Sequence, residues 1–65
     1  MAYVYVRKRE DAEKIASILT RAHGFQPTIF KDGAGYRVQH NEIGSEAMRG
    51  LLRAHGLERL IERTY

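Results

Sequence analysis

Apolar and polar residues alternate at the start of the chain. Tyr3-Val4-Tyr5-Val6-Arg7 is β-branched and aromatic up to its last residue and predicts a strand over residues 3–7. Val4 and Val6 share one face; Tyr3, Tyr5 and Arg7 share the other. The period then changes. Ala12, Ile15, Ala16, Leu19 and Ala22 recur at helical spacing. They predict a helix from Asp11, its expected N-cap, to His23, with Gly24 as the stop. Phe25 to Lys31 reads as a second strand. Pro27 cannot donate to a ladder, so this strand lies at an edge or begins after the proline. Asp32-Gly33-Ala34-Gly35 has the composition of a hairpin turn, and residues 36–40 read as a third strand. Ser45 is the expected cap of a second helix. Its inner side would carry Ala47, Met48, Leu51, Leu52 and His55, and Gly56 would end it. Residues 57–65 fit a helix through Leu57, Leu60 and Ile61, or a strand through Ile61, Arg63 and Tyr65.

The chain also repeats itself, which favours the strand. Leu19-Thr20-Arg21-Ala22-His23-Gly24-Phe25 matches Leu51-Leu52-Arg53-Ala54-His55-Gly56-Leu57 at an offset of 32, residue 19 plus 32 being 51. The same offset pairs Val6 with Val38, Glu10 with Glu42 and Ile29 with Ile61. One domain made of two β-α-β-like halves, about 3–31 and 35–65, is expected. The fold class is α+β, a ferredoxin-like split β-α-β with both helices on one face of an antiparallel sheet. A helical tail would leave β-α-β-β-α and three strands.

Composition sharpens this picture by exclusion. With 65 residues the core is thin, and with no Cys neither a disulfide nor a thiolate zinc site can brace it. The net charge is +3, from 11 Lys+Arg against 8 Asp+Glu of interspersed sign. No apolar run approaches a membrane span, and residues 1–7 lack the apolar segment of a signal peptide. A cytoplasmic location is expected.

Candidate chemistry gathers on the sheet face away from the helices. Tyr3, Tyr5 and Arg7 would come from the first strand, Phe30 from the second, and Arg37 and Gln39 from the third, beside the basic run Arg7-Lys8-Arg9. Such a face suits a protein interface, where Tyr and Arg are favoured anchors. It can also stack bases or sugars and bond phosphate. Three histidines invite a metal reading, but His23, His40 and His55 with Glu42 lack a ligand spacing such as H-x-x-x-H. Gly33-Ala34-Gly35 lacks the Lys-Ser/Thr of a phosphate-binding loop. No catalytic residue, metal or cofactor is expected.

Two families are similar in part. Val4-Tyr5-Val6 resembles the first-strand element of RRM domains, whose central aromatic stacks a base. Gly33-Ala34-Gly35-Tyr36-Arg37-Val38 keeps the glycines of the third-strand element, with Ala34 where an aromatic belongs. Over residues 3–57 the chain looks like the SPOR domain. The likeness rests on Asp11-Ala12-Glu13 leading a helix that ends Ala22-His23-Gly24-Phe25, on Gly35-Tyr36-Arg37-Val38-Gln39, and on a helix ending Ala54-His55-Gly56. That resemblance implies the β-α-β-β-α-β plan and glycan binding on the sheet. Lys8-Arg9 and Asn41-Glu42 stand where that family has Gly-rich turns.

The functional expectation is a small non-enzymatic module binding through Tyr3, Tyr5, Arg7, Lys8, Arg9, Phe30, Arg37 and Gln39. A protein partner is expected, with the chain as an accessory or inhibitor protein of the kind that phage and other mobile elements encode. Nucleic-acid binding and SPOR-like glycan binding are the alternatives, and a homodimer stays open.

Overall fold

The alternation in the first strand carries straight into burial. In β1 (Ala2–Val6), Ala2, Val4 and Val6 are fully buried, while Tyr3 and Tyr5 are half-buried on the opposite face. The computed structural model describes residues 2–24 and 26–64. The expectations placed on Phe25 and Tyr65 lie outside the described residues. Arg7 stands just beyond the strand, so it does not extend the Tyr3–Tyr5 row as expected.

Helix α1 (Arg9–His23) starts earlier than the apolar period suggests. Lys8, not Asp11, holds the N-cap position, and no side chain caps it. Glu10 and Asp11 instead sit in the first turn, where carboxylates complement the helix dipole. At the other end Gly24 adopts φ 75° and its N–H donates to Thr20 O at 2.8 Å. A side chain in that left-handed conformation costs about 1–2 kcal/mol.

Strand β2 (Thr28–Asp32) begins after Pro27 and is an edge strand. A tight turn leads to β3 (Gly35–His40), so Asp32 and Gly35 close the hairpin as paired strand residues. Helix α2 (Ser45–Ala54) has Gly44 at its N-cap, so Ser45 is its first helical residue and not its cap. Gly56 follows at φ 71°, repeating Gly24. The tail combines both readings. A 3-10 turn at Glu58–Leu60 leads into β4 (Ile61–Thr64).

Among the described residues the sheet has four antiparallel strands in the order β2-β3-β1-β4. This is the ferredoxin-like α+β arrangement. The halves interleave, because β1 pairs with β3 on one side and β4 on the other.

Both helices cover one face. Ile15 and Leu19 from α1, and Met48 and Leu52 from α2, close over Val4, Val6 and Val38. Each such side chain contributes about 1.5–3 kcal/mol on burial. The inner stripes are narrower than the periodicity suggests. Ala22, Ala47 and His55 are exposed, and Ala16 and Leu51 are only half-buried. In α2 the stripe centres on Met48 and Leu52, one turn apart, so flanking positions turn outward. Among the described residues no helix covers the opposite sheet face, which carries the candidate site.

Candidate functional site

Cross-strand register builds the open face in rows. Tyr3, Gln39 and Thr28 form one row across β1, β3 and β2; Tyr5, Arg37 and Phe30 form the next. Val4, Val38 and Ile29 alternate with them on the helix side. Tyr36 pairs with Val6 and packs against the core, so its ring belongs to the helix face. The open-face positions of β3 are therefore Gly35, Arg37 and Gln39.

Arg37 organises the face. Its guanidinium lies 4.5 Å from the Phe30 ring centroid and 5.1 Å from that of Tyr3. A guanidinium is planar and weakly hydrated, so it stacks on aromatic rings and keeps its charge. The residue is half-buried, and its Nε is buried without a hydrogen-bond partner. Among the described residues Arg37 forms no ion pair and no side-chain hydrogen bond. Phe30 is the exposed large hydrophobic among the described residues, 37% accessible. Gln39 donates from Nε2 to Asn41 Oδ1 at 3.2 Å.

Tyr5 is held differently. Its hydroxyl donates to the Asp32 carbonyl at 2.9 Å, which carries the ring across β3 toward the β2–β3 turn. There it lies on Gly35, where a β-carbon would stand 2.8 Å from Tyr5 Cζ and 2.5 Å from the Val6 carbonyl oxygen. A glycine inside a strand signals this kind of close approach. Sequence reasoning took Gly35 only as a turn residue.

The run Arg7-Lys8-Arg9 does not act as one block of charge. Arg7 Nε donates to Glu62 Oε1 at 2.8 Å, tying the end of β1 to β4. That hydrogen bond, together with the carboxylate's charge, pushes the Arg7 pKa further up. Arg9 turns to Glu13 one helical turn on, at 3.3 Å. Lys8 is exposed at the N-cap of α1. The structure thus brings Tyr3, Tyr5, Phe30, Arg37 and Gln39 together on one face and sends Arg7 and Arg9 to carboxylates elsewhere. Arg63 holds the register position opposite Tyr5 in β4.

Other features lie away from this face. Arg53 and Arg49 both reach Glu58, at 2.9 and 3.3 Å, fastening α2 to the 3-10 turn. The Arg53 hydrogen bond holds the Glu58 carboxyl below its ordinary range, against the opposing effect of desolvation. Buried His40 accepts at Nδ1 from the Glu42 N–H, and the His23 ring meets it edge-on at 5.9 Å. Matched Arg and Glu spacing hints at the first; nothing local in the sequence marks the second.

Two shallow clefts lie on the helical side. One of about 210 Å³ is lined by Ile18, Arg21, Ala22 and His55; one of about 280 Å³ by Glu46, Arg49, Gly50 and Arg53. Both fall below the range of about 300–1,000 Å³ usual for small-molecule sites. No three His, Asp or Glu side chains group as metal ligands among the described residues. No described helix is long and apolar enough to cross a membrane. No protein-family model matches the chain, and neither does any curated protein or solved structure.

Proposed function

We propose that this chain is a non-enzymatic binding module whose open sheet face takes up a protein partner, in the role of an accessory or inhibitor protein. The observation that carries this reading is Arg37 laid between the rings of Phe30 and Tyr3. Rigid aromatic and Arg side chains are the usual energetic centres of protein interfaces, because they bury much area for little lost freedom. Here part of the ordering cost is met before binding, since Arg37 is already stacked and Tyr5 already anchored.

Nucleic acid is the weaker reading. Tracking a phosphate backbone needs several unneutralised cations, whereas Arg7 and Arg9 are each matched by a carboxylate.

The test is capture from lysate on the immobilised chain, with nuclease, at two salt concentrations. The comparison chain carries Tyr3→Ala and Phe30→Ala together. Proteins held at the higher salt by the wild type, and lost by the variant, support the reading. Recovery of nucleic acid that the higher salt removes would replace it with the nucleic-acid reading. Equal capture by a correctly folded variant would end the assignment to this face.

A further inference from the structure

We infer that the open face recognises an acidic protein segment, with Arg37 receiving a carboxylate between the rings of Tyr3 and Phe30. This inference rests on the reading that the open face is the binding surface, and it adds the chemistry of the partner.

Three observations lead to it. First, the described ion pairs take Arg7, Arg9, Arg49 and Arg53 but not Arg37. Arg7 has Glu62, Arg9 has Glu13, and Arg49 and Arg53 share Glu58. Arg37 has no carboxylate among the described residues. Second, the rows that hold Arg37 place Tyr3, Tyr5, Thr28, Phe30 and Gln39 around it; the acidic open-face position of β2, Asp32, lies one row on, opposite Gly35, and forms no ion pair with Arg37. Among the described residues no carboxylate lies within ion-pair distance of the Arg37 guanidinium. Third, its geometry is prepared. The centroids of two rings lie 4.5 and 5.1 Å from the guanidinium carbon and Nε is buried, which leaves the outer nitrogens to a partner. A planar fork held in one orientation matches a carboxylate in bidentate geometry.

The same facts argue against other occupants. A second copy stacked face to face with its two-fold axis at Arg37 would bring the two Arg37 cations together. A nucleic-acid strand requires a series of cations for its phosphates, whereas Arg7 and Arg9 beside these rows are already paired with carboxylates. A single acidic residue beside an apolar one fits a single arginine beside Phe30.

The experiment selects a displayed library of random linear peptides on the wild-type chain. The best binder is then synthesised with its acidic residues intact and with each changed to the amide. Both forms are titrated against wild type, Arg37→Gln, Arg37→Lys and Phe30→Ala, with thermal melts confirming that each variant folds. The expected result is enrichment of sequences pairing Asp or Glu with an apolar residue. Removing the carboxylate should cost about tenfold to a hundredfold in Kd. Arg37→Gln should cost a similar factor for the acidic peptide and little for the amide, so the losses do not add. Arg37→Lys should recover only part, since charge returns without the fork. Phe30→Ala should weaken the carboxylate-dependent share by releasing the guanidinium.

Binders that need Tyr3 and Phe30 but ignore Arg37→Gln would overturn the acidic partner and leave the binding face standing. Binders indifferent to all three residues would overturn both readings. A selection that yields no binder overturns the inference. So does protein-concentration-dependent association that Phe30→Ala abolishes, or an oligonucleotide that outcompetes the selected peptide at the face.

Discussion

Tyr5 and Arg37 face each other across β1 and β3, and they also occupy the same position of the internal repeat, residue 5 plus 32 being 37. A residue can oppose its own repeat equivalent only where a two-fold axis crosses the sheet. The axis therefore passes between Tyr5 and Arg37. It carries the Ile29–Val38 pairing of β2 and β3 onto the Val6–Ile61 pairing of β1 and β4. The symmetry then breaks. Phe30 stands opposite Arg37, so residue 62 should stand opposite Tyr5, but a register shift puts Arg63 there. Glu62 is displaced, and its carboxylate takes Arg7.

The seat of Tyr5 on Gly35 yields a sharp stability prediction. Gly35→Ala would push a β-carbon against the Val6 carbonyl and the Tyr5 ring, and the backbone carbonyl cannot swing away. A loss of about 1–3 kcal/mol is expected in urea unfolding. Tyr5→Phe keeps the ring and removes the bond to Asp32, so a loss of only about 0.5–1.5 kcal/mol should follow. If Gly35→Ala unfolded at the wild-type midpoint, the close approach would be refuted.

Repeat and burial disagree within the helices, and mutation can weigh them. The repeat equates Leu19 with Leu51, yet the buried residues are Leu19 and Leu52, with Leu51 only half-buried. Leu52→Ala should cost about 2–5 kcal/mol, comparable to the whole stability of so small a domain. Leu51→Ala should cost clearly less. Chemical denaturation of both variants decides the order.

Acid stability should depend on Glu58. Its folded-state pKa is depressed below 4.5, first by the hydrogen bond from Arg53 and further by the charges of Arg53 and Arg49. Below 4.5 the unfolded chain therefore binds the proton more readily than the folded one, so stability is present above that pH and lost as pH falls through the folded value. Urea midpoints across the acid range should fall faster for wild type than for Glu58→Gln. Added salt should narrow the gap, since the pair is exposed.

Gly50 offers the opposite sign. It lies inside α2, exposed, with nothing within 4 Å of an added β-carbon and no positive φ. Gly50→Ala should stabilise by about 0.5–1 kcal/mol, raising the Tm by a few degrees. An unchanged or lower Tm would mean that α2 does not run unbroken through this residue.

Local patterns spoke clearly wherever one short stretch decided the outcome. Val4 and Val6 against Tyr3 and Tyr5 named the two faces of β1, and Pro27 required β2 to lie at an edge or to begin after the proline; it does both. The repeat anticipated the matching left-handed glycines at 24 and 56 and the strand in the tail. What stayed hidden depends on distant partners. Arg7 looked like part of an open basic run because Glu62, the residue that takes its charge, is brought to it only by the register of β4. Asp11 and Ser45 looked like caps because their side chains suit that task, while the helices begin after Lys8 and Gly44, which cap them with no side-chain bond. Arg37 was legible as a residue of the open face, but not its contact with the Phe30 and Tyr3 rings, since these come from two other strands.

The displaced residue at 62 bears on direction. A sheet obeying its two-fold axis would look the same after a half turn, and anything laid across it could sit in two equivalent poses. Here one end of the central row closes on the aromatic Phe30, and at the other an extra residue turns a carboxylate toward Arg7. One slipped register removes the degeneracy, so a chain crossing these strands meets a surface with a head and a tail.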